Sequence, residues 1–122
     1  MGRDFKKIKV WQIADKLTQN IYRMTRDFPV EERYGITSQL RRAALSVPTN
    51  VAEGCERKTN KEYLQFLYIA RGSLSETEYL LYISNKLNYL SDEAYKALEA
   101  DRIECIKTLS GLISFITNDR KL

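Results

Sequence analysis

Enzyme chemistry usually calls on groups that relay protons, hold metals or attack carbon, and this chain of 122 residues has no histidine at all. That removes the commonest general base and the commonest metal ligand. A Ser–His–Asp or Cys–His arrangement is impossible, and the Glu-x-x-His motifs of di-iron bundles are missing too. The two cysteines, Cys55 and Cys105, are far apart in the chain, and without histidine they cannot form a structural zinc site. Each falls in apolar phase within a helical segment, so small buried thiols are the expectation, with a disulfide or a reactive thiol as the alternative. Neither a P-loop nor a G-x-G-x-x-G fingerprint occurs. The sequence therefore predicts no catalytic residue, no metal site and no cofactor.

Glu53, Glu76 and Glu78 remain as carboxylates for proton or metal chemistry. Glu76 falls on an apolar stripe, where a glutamate paired with Arg42 or Arg71 is the simpler explanation. The basic residues offer a different chemistry. Arg57, Lys58 and Lys61 cluster between two helical segments, and Lys6, Lys7 and Lys9 precede the first helix. Arg41 and Arg42 are neighbours about 100° apart on a helix, which lets one face solvent while the other pairs with an acid. Arg41, Arg42, Arg57, Lys58 and Lys61 are the candidate contacts to RNA or DNA phosphates, in a mode sensitive to salt and indifferent to sequence. A solvated basic rim is the alternative. The eight tyrosines suit stacking on bases, but most sit in or beside apolar stripes, where core or interface packing explains them better.

The net charge is +4 and unevenly spread. Residues 1–9 carry four basic and one acidic side chain, residues 10–58 eight and six, and residues 59–122 eight and nine. The excess in the first half can attract polyanions; a slightly basic soluble surface accounts for it equally well. With 43% hydrophobic and 30% charged residues, five glycines and two prolines, the composition fits one folded domain of a few long helices. No apolar run approaches a membrane span, and the basic N-terminus lacks the apolar core of a secretory signal, so a cytoplasmic protein with no membrane partner is expected.

Periodicity supplies the elements that position these residues. Val10, Ala14, Leu17, Ile21, Met24 and Phe28 form a helical stripe, predicting a first helix from Ile8 to Phe28 that Pro29 stops. A second helix should start near Thr37 or Ser38, either of which can cap it. Its stripe of Ile36, Leu40, Ala43, Ala44, Val47, Val51 and Cys55 keeps phase across Pro48, which favours one kinked helix over two short ones. Thr59 and Glu62 have capping-box spacing, opening a third helix to about Asn88. It bears two stripes: Tyr63, Leu67, Ala70, Leu74, Thr77, Leu81 and Ser84, then Ile69, Ser73, Glu76, Leu80, Ile83, Leu87 and Leu90. Ser91 with Asp92 and Glu93 begins a fourth, whose stripe of Leu98, Cys105, Leu109, Leu112 and Ile116 contains Arg102 as its odd member.

The predicted fold is all-α: an antiparallel up-down-up-down four-helix bundle, helix 2 kinked at Pro48, in a single domain 1–122 with frayed tails at 1–7 and 119–122. Two stripes on the third helix present more apolar face than a monomer usually buries, pointing to a central position or a subunit interface. Gly72 lies mid-helix at a cost of about 1 kcal/mol against alanine, which close approach of another helix would offset. Trp11, Tyr63, Phe66, Gly72, Ser73 and Leu80 are the candidate interface residues.

The combination FP-x-EERYG-x-TSQLRRAA-x-SVP-x-N-x-AEG, with ARGSL further on, is highly specific, and segments 10–22, 25–57 and 61–91 all take part. The chain resembles the 23S rRNA intervening-sequence protein family over essentially its whole length. Thr77 stands where an aliphatic residue is expected. The resemblance implies an antiparallel four-helix bundle assembled as a homopentameric ring. It also implies a bacterial protein, many of whose relatives are encoded within insertions in large-subunit rRNA genes, with no established biochemical activity. A related protein, the accessory variability determinant of diversity-generating retroelements, is a basic pentamer that binds nucleic acid and a reverse transcriptase. By that kinship RNA or DNA is the implied partner. A protein-interaction scaffold with no nucleic-acid role is the alternative.

Overall fold

In α1 (Lys9–Met24) the 3-and-4 spacing puts Val10, Ala14, Leu17 and Ile21 on one face, and all four are buried. The computed structural model describes residues 3–119. Met24, expected on the same stripe, is exposed; Thr25 takes the inward place in a 3-10 turn, its hydroxyl donating to Ile21 O at 2.8 Å. Phe28 is extended before Pro29, as the proline ring requires, and its ring packs 5.7 Å from that of Tyr89.

α2 (Ile36–Cys55) begins one residue earlier than expected and without a Ser or Thr cap. A 3-10 turn at Val30–Glu32 swings Glu32 back so that its Oε1 accepts the Ile36 N–H at 3.1 Å. An acid at this end also suits the positive pole of the helix macrodipole. The helix then runs unbroken through Pro48, so the two-helix alternative is excluded. Proline has no N–H for the carbonyl four residues back, which is Ala44 O. Thr18 on α1 meets it: its hydroxyl lies 3.1 Å from Ala44 O while also donating to Ala14 O at 2.8 Å.

α3 (Asn60–Lys86) starts at the expected cap, Thr59 Oγ1 accepting the Glu62 N–H at 3.1 Å. All seven members of its first stripe are buried. Thr77, polar in a buried position, donates to Ser73 O at 2.8 Å. The helix ends through Asn88, whose φ of 65° is left-handed, and the N–H groups of Tyr89 and Leu90 both return to Ser84 O. α4 (Asp92–Asp119) follows, Ser91 Oγ accepting the Ala94 N–H at 3.1 Å. Its stripe is buried at Leu98, Arg102, Cys105, Leu109 and Ile116, with Ile113 buried in place of the expected Leu112, which is only partly covered.

Each helix packs on the next and α4 packs on α1, which closes a four-helix bundle. Four residues separate α2 from α3 and five separate α3 from α4. Such links reach at most about 14–18 Å, far short of the roughly 40 Å axis of a 27-residue helix, so these neighbours run antiparallel. The segment expected to fray is held from Arg3 onward: Asp4 caps a 3-10 turn at Phe5–Lys7, and Phe5 meets Trp11 edge-on at 5.0 Å. Of the other expected tail, residues 120–122 lie outside the described residues, as do residues 1 and 2.

Candidate nucleic-acid interface and subunit surface

One end of the bundle is built where α1 begins, α2 ends and α3 begins. The N-terminal segment is laid across the α2–α3 connection. The Arg3 N–H donates to Cys55 O at 3.2 Å, its Nη2 donates to Asn60 Oδ1 at 3.1 Å, and its guanidinium sits 4.1 Å above the Tyr63 ring. This brings Arg3 and the exposed Lys6 and Lys7 to the same end as Arg57, Lys58 and Lys61, all three of which are exposed. Arg57 Nε donates to Glu53 O at 3.3 Å while its guanidinium covers Phe66 at 4.8 Å, which fixes its direction without neutralising it. The exposed acids Asp4, Glu56 and Glu62 are interspersed, so the end is basic in excess rather than uniformly.

Gly54 makes this junction possible. A Cβ there would lie 2.8 Å from the Tyr63 ring and 3.0 Å from Phe66 Cβ, so any larger residue would push α3 away. Beneath it, Cys55 Sγ is 3.8 Å from the Tyr63 hydroxyl. Burial pushes the thiols of Cys55 and Cys105 upward, Cys105 to about 12. Both are free and buried, and both stay protonated and unreactive near neutral pH.

Arg41 and Arg42 do not join this cluster, lying about 22 Å or more up the axis of α2. Arg41 is turned inward: its Nε donates to Thr25 Oγ1 at 2.8 Å, its Nη2 to Tyr22 O at 3.2 Å, and it stacks on Tyr22. Arg42 is exposed beside Ser46, Ser73 and Glu76. The three candidate carboxylates are dispersed over three grooves, Glu53 beside Trp11, Glu76 beside Arg42, and Glu78 beside Tyr79. Glu76 is exposed rather than buried, while Glu78 accepts from Arg102 at 3.2 Å. No group of three or more metal-ligating residues occurs among the described residues.

The interface candidates divide. Tyr63 and Leu80 are consumed by the core of a single chain, at 1% and 5% exposure, and offer nothing to a neighbour. Ser73 donates to Ser46 Oγ at 2.8 Å, and Phe66 lies under Arg57. Trp11 lines an apolar groove with Leu45, Pro48 and Ala52. Gly72 is exposed with no atom near an added Cβ, so among the described residues no other helix approaches it. What the sequence reading missed is a third stripe on α3: Tyr68, Gly72, Ser75, Tyr79 and Tyr82, all exposed. Its spacing of 4, 3, 4 and 3 is helical and was the signal available. Tyr79 and Tyr82 lie 6.3 Å apart.

The profile of the 23S rRNA-intervening sequence proteins matches residues 6–111. The chain belongs to that family. No curated protein matches it. Among solved structures, it is similar to a protein of unknown function from the S23 ribosomal protein family of Bacteroides thetaiotaomicron, at 22% identity and a TM-score of 0.77 over 85% of this chain and 97% of the other. At that identity the likeness speaks for the fold, in which this family member shares its bundle with a bacterial relative. Among the described residues, no helix is long and apolar enough to cross a membrane.

Proposed function

We propose that this family member is a non-enzymatic, cytoplasmic, homo-oligomeric bundle that serves as a nucleic-acid-binding or ribonucleoprotein-associated accessory protein. The observation that supports this reading is the convergence of Arg3, Lys6 and Lys7 with Arg57, Lys58 and Lys61 at one end. Residues nearly sixty positions apart are latched together there, and most of these cations point at solvent. A pentameric ring would present five such ends, turning a modest local excess into a strong field.

A cyclic head-to-tail assembly needs two unlike patches on each subunit. The tyrosine stripe of α3 and the apolar groove at Trp11 and Leu45 are the pair we assign to it. A scaffold for some other protein, with no nucleic-acid role, is the second reading, and the same exposed tyrosines favour it.

Binding to a structured RNA, measured against salt, separates the two. Log affinity should fall linearly with log salt, by about 0.7–0.9 per phosphate contacted. Changing Arg57, Lys58 and Lys61 together to Glu should weaken binding to all sequences alike and flatten the slope by about 2–3. No binding at low salt removes the nucleic-acid reading and leaves the scaffold.

A further inference from the structure

The opposite end of the bundle holds a groove of about 340 Å³ between the end of α1 and the start of α2, with Phe28, Pro29 and Val30 as its apolar wall and Thr25, Arg26, Arg33, Thr37 and Arg41 as its polar lining. We propose that it is a binding site for a phosphate group. Three arginines line one groove, and none of them forms an ion pair with an acid among the described residues. Glu32 forms no ion pair with them: one carboxylate oxygen takes the Ile36 N–H and the other takes the Tyr89 hydroxyl at 2.9 Å. Arg41 is held in place by Thr25 and Tyr22 O through Nε and Nη2, which leaves its Nη1 unengaged by any described bond.

A helix start alone would not make a site, but Thr37 supplies an independent sign. Thr37 lines the groove at 9% exposure, and its buried hydroxyl has no hydrogen-bond partner among the described residues. Buried hydroxyls are rarely left so, because an unmade hydrogen bond there is costly. The N–H groups of Thr37 and Ser38 occupy first-turn positions that have no intrahelical acceptor, between Ile36, satisfied by Glu32, and Gln39, satisfied by Gly35 O. Hydroxyl, first-turn amides and guanidinium forks are together the donors that a tetrahedral, doubly charged oxyanion accepts. A carboxylate, with two oxygens and one charge, would use fewer of them.

The site is independent of the basic end, since the two lie at opposite ends of the bundle. The probe is inorganic phosphate, titrated into the isotopically labelled full chain at constant ionic strength, with acetate and chloride as controls. Amide resonances of Thr37 and Ser38 should shift and saturate with phosphate only. Arg26→Gln with Arg33→Gln, both on the exposed surface, should weaken phosphate binding about tenfold, and Thr37→Val about fivefold, as expected for bonds to a charged ligand. The Arg57, Lys58 and Lys61 to Glu protein should bind phosphate as the parent does, so failure here and failure at the basic end are separable. An RNA oligomer with a 5′-phosphate, compared with its 5′-hydroxyl twin, identifies the source. A gain that Arg33→Gln abolishes assigns the groove to chain termini, and equal binding assigns it to free phosphate or small phosphate esters. Shifts that do not saturate, an equal response to acetate, or indifference to both variants would overturn the proposal.

Discussion

A guanidinium on the apolar stripe of α4 is tolerable only where acids meet it. Arg102 is 7% exposed, and Glu99 takes two of its donors, at 2.6 and 2.9 Å, with Glu78 a third at 3.2 Å. The Glu99 hydrogen bond is the main cause that raises the Arg102 pKa above its ordinary value. Glu99 is itself mostly covered, whereas Glu78 is half in solvent, so the first pair dominates. Removing one member strands the other, which costs more than replacing both by apolar groups. Arg102→Met should therefore cost about 3 kcal/mol, and adding Glu99→Leu should recover most of that loss. Urea unfolding midpoints of the two variants check this; equal losses would show that the pair has no special role. The stripe's phase showed that Arg102 points inward. Glu99, three residues back, was visible in principle, but Glu78 arrives only through the packing of α3 on α4.

At the scale of an element, α2 contains a defect that its neighbour repairs. Pro48 leaves Ala44 O without its helical donor, and the Thr18 hydroxyl of α1 shares its one proton between Ala44 O, at 3.1 Å, and Ala14 O, at 2.8 Å. Thr18→Val should cost about 1–2 kcal/mol, the usual penalty for a buried carbonyl left unpaired. In a Pro48→Ala background residue 48 regains an N–H, so the same change should cost clearly less. A double-mutant cycle on thermal stability reads the coupling, and strict additivity would refute the link. The unbroken helix followed from a stripe that held its phase across the proline. The donor from α1, 26 residues away, could not be read from local pattern. The start of α2 was misjudged for a related reason. Thr37 and Ser38 are better capping types than any neighbour, but a 3-10 turn places the Glu32 carboxylate there first.

Across the whole molecule, the exposed residues are distributed by function as we read it: cations at one end, arginines around a groove at the other, tyrosines along α3 between them. If that tyrosine face covers a second subunit, the 14.3 kDa chain should sediment as a larger species at micromolar concentration. Tyr79→Glu with Tyr82→Glu should then release folded monomers of unchanged helicity. A parent protein that sediments as a monomer would refute the assembly. The local triad Arg57, Lys58 and Lys61 was legible because it lies in one short connection. Arg3 was not, since only the fold brings it there, and Tyr63 and Leu80 were misassigned because α3 has three stripes, not two. Its core face and the edge that includes Leu80 go inward, leaving Ile69 and Leu87 at the margin of the tyrosine face.

The bond from Arg3 to Cys55 O joins a residue made early to one that leaves the ribosome much later. During synthesis that end stays unlatched until the whole of α2 has emerged. A bulky purification tag fused ahead of Arg3 would therefore crowd the latch and shade the cationic end it organises, so fusions for binding assays belong at the other terminus.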